Sequence, residues 1–128
     1  MERILGRFAP QCYALMRIAT GLLFACHGAQ KLFGVLGGQR APIASQFGLA
    51  GVIEFVGGLM IAAGFLTGFA AFVASAEMAY AYFIAHVPRG LWPIRNGGEL
   101  AVLYCFVFLY IACRGSGVWG IDKGGSRR

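Results

Sequence analysis

The stretch Tyr13-Ala14-Leu15-Met16-Arg17-Ile18-Ala19-Thr20-Gly21-Leu22-Leu23-Phe24-Ala25-Cys26-His27-Gly28-Ala29-Gln30-Lys31-Leu32-Phe33 decides the fold. A bilayer core about 30 Å thick takes roughly 20 apolar residues in a helix. This run meets that length, with Arg17 toward one end and His27 and Lys31 toward the other. It reads as a transmembrane helix.

Three more stretches read the same way. One runs from about 49 to 66 and is interrupted by Glu54; the next, from about 69 to 86, carries Glu77. The last, from about 100 to 113, has Glu99 at its mouth. It is short for a span, and an extension to Trp119 or a smaller tilt would accommodate it. The expectation is an all-α membrane protein: one domain over residues 1–128, built as a four-transmembrane-helix bundle.

Composition agrees. Apolar residues make up 59% of the 128 and charged residues only 12%, about half the charge of an ordinary soluble domain. So short a chain cannot hide that much apolar surface from water, so the lipid bilayer is its solvent. The net charge of +6 does not mark a nucleic-acid binder, because the basic residues lie in short segments between and beyond the apolar runs. Cys12, Cys26, Cys105 and Cys113 form no C-x-x-C pair and no metal-ligand spacing; they read as small apolar filler. The basic start, Met1 to Arg7, resembles a signal peptide, but the apolar stretch after it runs too long and ends without a small-x-small cleavage site. The first helix is expected to be retained.

The connections differ in character. Gly34 to Gly48, with Gly37-Gly38 and Pro42, is long enough for a short surface helix. Thr67-Gly68 reads as a minimal turn that makes the second and third helices antiparallel neighbours. Val87 to Gly98, with Pro88, Arg89, Trp92, Pro93 and Arg95, reads as an ordered interfacial loop, its arginines serving topology and headgroup contact. The polar tail Gly115 to Arg128 is expected to fray after Asp122.

Arg3, Arg7, Arg17, Arg114, Lys123, Arg127 and Arg128 lie on one side, against Lys31, Arg40, Arg89 and Arg95 on the other. The positive-inside rule therefore puts both termini in the cytoplasm. Small residues recur at helical spacing, Gly21, Ala25 and Ala29 in the first span and Gly58 and Ala62 in the second. Lipid gives no hydrophobic drive for helix association, so such stripes mark close helix contacts. They predict a tight bundle, associated with a larger membrane complex or a second copy of itself.

The ionisable residues inside the spans carry the chemistry. A charge at the bilayer centre costs at least ~2.5–3.5 kcal/mol, so these groups face the interior, pair, or serve function. With the first helix running outward, His27 and Lys31 lie in its outer part. The second runs inward, placing Glu54 roughly 8 Å below the outer surface at about 1.5 Å per residue. His86 ends the third helix there and Glu99 opens the fourth. Four helices thus send His27, Glu54, His86 and Glu99 into one leaflet. At about 100° per residue, Glu77 and His86 fall on opposite faces, while Met78, Tyr82 and His86 share a stripe. Glu77 is therefore expected to pair deeper, with Arg17 a conceivable partner, unless Arg17 snorkels to the inner surface. A structural role, holding helices in register, competes with a functional one for every member of this set, most evenly for Glu99 and His86.

Several motifs then resemble a known family. Arg17 to Phe24 followed by His27-Gly28-Ala29-Gln30-Lys31-Leu32-Phe33-Gly34 looks like the first helix of the DoxX family. Glu54-Phe55-Val56-Gly57-Gly58-Leu59, Gly64-Phe65-Leu66-Thr67-Gly68, Asn96-Gly97-Gly98-Glu99-Leu100 and the segment from Gly115 to Asp122 continue the likeness over nearly the whole chain. The resemblance implies a four-helix protein of the bacterial cytoplasmic (inner) membrane. It also implies a link to thiosulfate:quinone oxidoreduction or to redox-stress complexes, with His27, Lys31, Glu54, His86 and Glu99 as the recurring polar positions.

Two functions compete. One is a small subunit of a quinone-linked redox complex, with Glu54 or Glu99 and His27 exchanging protons with a quinone and Lys31 donating a hydrogen bond to its ring. The other is an accessory or assembly subunit that packs against a larger complex through Gly-rich faces. Haem ligation by His27 and His86 is a weaker alternative, and a transporter finds little support without an internal repeat. The sequence carries no nucleotide-binding glycine motif, nucleophile triad or carboxylate metal site. Any self-contained catalytic centre is left unassigned.

Overall fold

A computed structural model describes residues 1–122, and among these the chain is helical with no strand. A short α1 (Glu2–Leu5) and a 3-10 turn (Gly6–Phe8) run into α2 (Ala9–Phe33), the longest helix at 25 residues. Then follow α3 (Gln46–Ala63) and α4 (Thr67–Ala81), which continues through a π-helical turn (Tyr82–His86) and a 3-10 turn (Val87–Arg89). After α5 (Pro93–Asn96) comes α6 (Glu99–Arg114). The basic residues Lys123, Arg127 and Arg128, and the fraying expected after Asp122, lie outside the described residues.

The protein is turned inside out relative to a soluble one. Leu22, Leu23, Phe69, Phe72, Leu103 and Phe106 cover its surface, while Arg17, Glu54, Thr67 and Asn96 are buried. Such a distribution suits a hydrocarbon surround, where interior polar groups must satisfy one another. Three helical stretches, Glu2–Phe33, Gln46–Ala63 and Thr67–Arg89, are long and apolar enough to cross a membrane. The fourth long helix, α6, has 16 residues, about 24 Å at 1.5 Å per residue. Of the two ways of accommodating so short a span, extension to Trp119 does not occur, because Gly115 at φ +86° ends the helix and the chain turns back beneath the bundle.

Local chemistry sets the other boundaries. Gly34, left-handed at φ +68°, stops α2. Ser45 caps α3 by accepting a hydrogen bond from the Gly48 N–H at 3.1 Å. The connection 34–45, though long enough for a short surface helix, forms turns, its glycines and Pro42 favouring bends. Gly64, at φ +72°, ends α3, so the tight turn falls at Gly64–Leu66, three residues before the expected Thr67-Gly68, and Thr67 already begins α4.

Backbone contact builds the α2–α3 hairpin. A Cβ added to Gly21 would lie 2.6 Å from the Gly58 carbonyl, and one on Gly58 would lie 2.5 Å from the Gly21 carbonyl. Gly28 meets Gly51 and Phe55 in the same way. The small-residue stripes are thus consumed inside the hairpin. Phe24, fully buried, then joins this hairpin to α6, its ring centroid 4.6 Å from that of Phe108. On the other side Ser75 donates to the Cys105 carbonyl at 2.7 Å, tying α4 to α6.

We call the end of the bundle that holds the start of α2 and residues Gly115–Asp122 proximal, and the other end distal. At the proximal end Arg17 is fully buried. It does not pair with Glu77. Its Nε donates to Ser116 O (2.8 Å), Nη1 to Ile61 O and Ala62 O (2.8 and 2.7 Å), and Nη2 to Val118 O and Trp119 O (3.2 and 3.0 Å). All five guanidinium donors are satisfied by carbonyls, at the C-terminal end of α3 and in the returning tail. Asp122 completes the closure by accepting from Leu66 N–H (2.8 Å), Thr67 N–H (2.9 Å) and Thr67 Oγ1 (2.7 Å), an N-cap for α4 supplied 55 residues away in sequence.

Candidate functional site

At the distal end the helices part around a cavity of about 330 Å³. His27 and Lys31 reach it from α2, Glu54 from α3, His86 from the π turn, and Tyr104 from α6, with Phe24 and Met78 among its apolar walls. Helix periodicity delivers the first two: His27 and Lys31 are one turn apart on one side of α2. Glu54 shares the buried stripe of α3 with Gly51, Gly58 and Ile61.

Lys31 and Glu54 form the polar centre. Lys31 Nζ lies 2.8 Å from Glu54 Oε1 and 2.6 Å from Oε2, with the Glu54 side chain 1% exposed and that of Lys31 31% exposed. A carboxylate so buried needs such a partner, since an unpaired charge here is severely penalised. Lys31 also sits in the last turn of α2, where the helix dipole favours a cation.

Around this pair the aromatic groups fix geometry. The His27 ring meets that of Tyr104 edge-on, with centroids 6.0 Å apart. His86 stacks on Tyr82, centroids 6.1 Å apart, and its Nδ1 lies 3.2 Å from the Asn96 carbonyl. A carbonyl only accepts, so Nδ1 carries the hydrogen and, in the neutral ring, Nε2 is the acceptor. Asn96, 1% exposed, organises the whole distal loop. Its amide donates to Gly90 O (2.8 Å) and Tyr82 Oη (3.1 Å), and its Oδ1 accepts from Gly98 N–H (2.8 Å).

Of the sequence candidates, His27, Lys31, Glu54 and His86 come together and Glu99 does not. The buried side of α6 is Ala101, Tyr104, Phe108 and Ile111, and two residues back from Ala101 is about 200° round the helix. Glu99 therefore lies on the exposed face, beside Leu103 and Phe106 on an open surface groove. Glu77 also departs from expectation. It sits beside Glu54, close enough for the carboxyl groups to interact, and its Oε1 is buried without a hydrogen-bond partner among the described residues. One ammonium thus faces two carboxyl groups. Glu77 and His86 line different spaces: His86, with Met78, borders the cavity, and Glu77 borders a hollow between α3 and α4.

Tyr104, Asn96 and Phe24 are the site residues that the sequence reading missed. Asn96 before Gly97-Gly98 is turn chemistry that signals a helix entry, whereas Tyr104 is one aromatic among many on an apolar helix. Among the described residues no group of three or more His, Cys, Asp or Glu side chains could hold a metal ion.

Comparison with known proteins adds a family and one relative. The family model DoxX matches residues 13–87, which include His27, Lys31, Glu54, Glu77 and His86. A Haemophilus influenzae protein that is itself uncharacterised is 41% identical over 126 residues, covering 93% of this chain and 94% of its own length. No solved structure matches.

Proposed function

The chain belongs to the DoxX family, and from that premise we propose that it is a small membrane subunit of a quinone-linked redox complex. The observation that carries this reading is the gathering of His27, Lys31, Glu54 and His86 in one cavity of an otherwise apolar bundle. Binding sites for small organic ligands combine apolar walls with a few convergent polar groups, and this cavity has that character.

The chemistry suits a quinone ring. Its flat apolar faces match Phe24, Met78 and Tyr104, and its oxygens need hydrogen-bond donors and proton carriers. Lys31 offers donors, while His27, Glu54 and Glu77 are groups that accept and release protons. Reduction of a quinone takes two electrons and two protons. In this proposal the protons pass through these side chains and the electrons come from a redox-active partner subunit. The protein would sit in the bacterial cytoplasmic membrane with α2, α3, α4 and the shorter α6 as four spans, both termini cytoplasmic, and the cavity in the outer leaflet.

An accessory role in a larger complex is the second reading. It is favoured by Glu99, a carboxylate on the exposed face of a helix shorter than the bilayer core. The glycine stripes being spent within the hairpin, partner contact would fall on α6.

Native mass spectrometry of the protein released from its own membrane tests the proposal. A quinone-mass adduct is expected on the wild type and at least tenfold less of it on folded Glu54→Gln and His27→Ala variants. Unchanged adducts in both variants would sink the redox reading.

A further inference from the structure

A second concavity, of about 460 Å³, runs down the outside of the bundle between α3 and α4. Its walls include Ala50, Ile53, Val73, Ala76 and Ile84, so it is apolar for most of its length. The polar exceptions are Lys31, Gln46, Glu77 and Tyr80. Gln46 Nε2 donates to Tyr80 Oη at 2.7 Å and ties the two helices together toward the distal end. From Val73 to Ile84 the groove follows roughly 16 Å of helix at 1.5 Å per residue.

The groove is not separate from the polar cavity. Lys31, Phe47, Ala81 and Ala85 line both. Two of these four are alanines, so the wall between the spaces is thin on the α4 side, and Lys31 reaches the groove with its stem and Glu54 with its ammonium. A hollow lined by alanines on a membrane-facing surface does not stay empty, because lipid or ligand chains fill it. Its continuity with the polar cavity selects among those occupants.

Resting on the reading that the cavity takes a quinone-like ring, we infer that the α3–α4 groove holds the apolar chain of that same ligand, so that ring and chain enter together sideways from the bilayer. The ligand is then an amphiphile and not a water-soluble quinone. Alanine at positions 50, 76, 81 and 85 provides the width, and Lys31 stands at the junction where ring and chain meet. The chain gains little from moving between lipid and groove, both being apolar; the groove's function is to give it a path while the ring sits in the cavity.

A photoreactive probe tests this directly: a benzoquinone bearing a ten-carbon chain with a diazirine at mid-chain, applied to the full protein in liposomes. The expected crosslinks fall within 46–53 and 73–85. Excess of the same ring carrying only a methyl group should suppress them at least fivefold. Ala76→Trp, at an exposed position on the groove wall, should reduce crosslinking at least fivefold while methyl-ring binding changes less than twofold; Val73→Phe repeats the test should that variant fail to fold. Crosslinks elsewhere on the bundle, still displaced by the methyl ring, would overturn the groove assignment and leave the cavity reading intact. Groove crosslinks indifferent to the methyl ring would mean that the groove holds bulk lipid, overturning the inference. No methyl-ring binding to the wild type would remove the cavity reading and this inference with it.

Discussion

The Lys31 ammonium bridges both carboxylate oxygens of Glu54, at 2.8 and 2.6 Å, and Glu54 has almost no other exposure to solvent or lipid. Removing one partner strands the other. Lys31→Met should therefore destabilise the bundle by about 3 kcal/mol, seen as a lower melting temperature in detergent. Lys31→Met combined with Glu54→Gln should recover most of the loss. Additive losses in the double variant would show that the two groups are not coupled.

Burial separates the two distal carboxylates, Glu54 inside the bundle on α3 and Glu99 on the exposed face of α6. Glu99→Gln should leave quinone binding within twofold of wild type, since Glu99 faces away from the cavity, whereas Glu54→Gln lowers it at least tenfold. Equal sensitivity of the two, read by binding titration, would contradict the cavity assignment.

Helix contact through glycine gives a sharp contrast between adjacent residues. A Cβ on Gly58 presses on the backbone of α2, while one on Gly57 meets nothing within 4 Å. Gly58→Ala should cost about 1–3 kcal/mol, and Gly57→Ala should be neutral or stabilising by up to about 1 kcal/mol through helix propensity. Thermal melts of the two purified variants decide it.

Arg17 should not tolerate lysine. A lysine has three donors on a point charge where the guanidinium uses five in a planar fork. Arg17→Lys is expected to loosen the returning tail, with faster amide exchange at Ile121 and Asp122, whose N–H groups now donate to Ala63 and Gly64. Unchanged exchange would remove Arg17 as the tail's anchor.

Asp122 makes the same closure sensitive to acid. Partial burial alone would raise its pKa, but hydrogen bonds from Thr67 and Leu66 and the charge of Arg17 outweigh burial and hold it below the ordinary carboxylate range. Its stabilising contribution is therefore complete above the unfolded value, about 3.9, and disappears as pH falls through the lower folded value. Tail protection should be flat from neutrality to about pH 4 and decline below it. Asp122→Asn should lower protection at neutral pH and abolish the acid-dependent step; a variant that keeps the step would assign it to another group.

Sequence made the bundle legible because apolar length is a strong constraint in lipid, and depth along each helix could be counted. The co-location of His27, Lys31, Glu54 and His86 follows from such counting. Azimuth was harder. On α6 nearly every residue is apolar, so no polar face marks the outside and Glu99 could be given a depth but not a direction. The approach of Glu77 to Glu54 joins two like-charged groups, a pairing that charge complementarity does not suggest. The contacts of Arg17 are hidden for a different reason. Its partners are backbone carbonyls, which every residue has, so no side-chain type announced them.

The route of Arg17 also bears on biosynthesis. Its guanidinium enters the membrane with the first long helix to be made, yet the carbonyls of Ser116, Val118 and Trp119 are among the last described groups to leave the ribosome. Until they arrive, the Ile61 and Ala62 carbonyls of α3 can take Nη1, while Nε and Nη2 have only water or headgroups. Insertion therefore precedes closure, and a nascent chain halted before Ser116 would hold a cation with three of its five donors unmet by the protein.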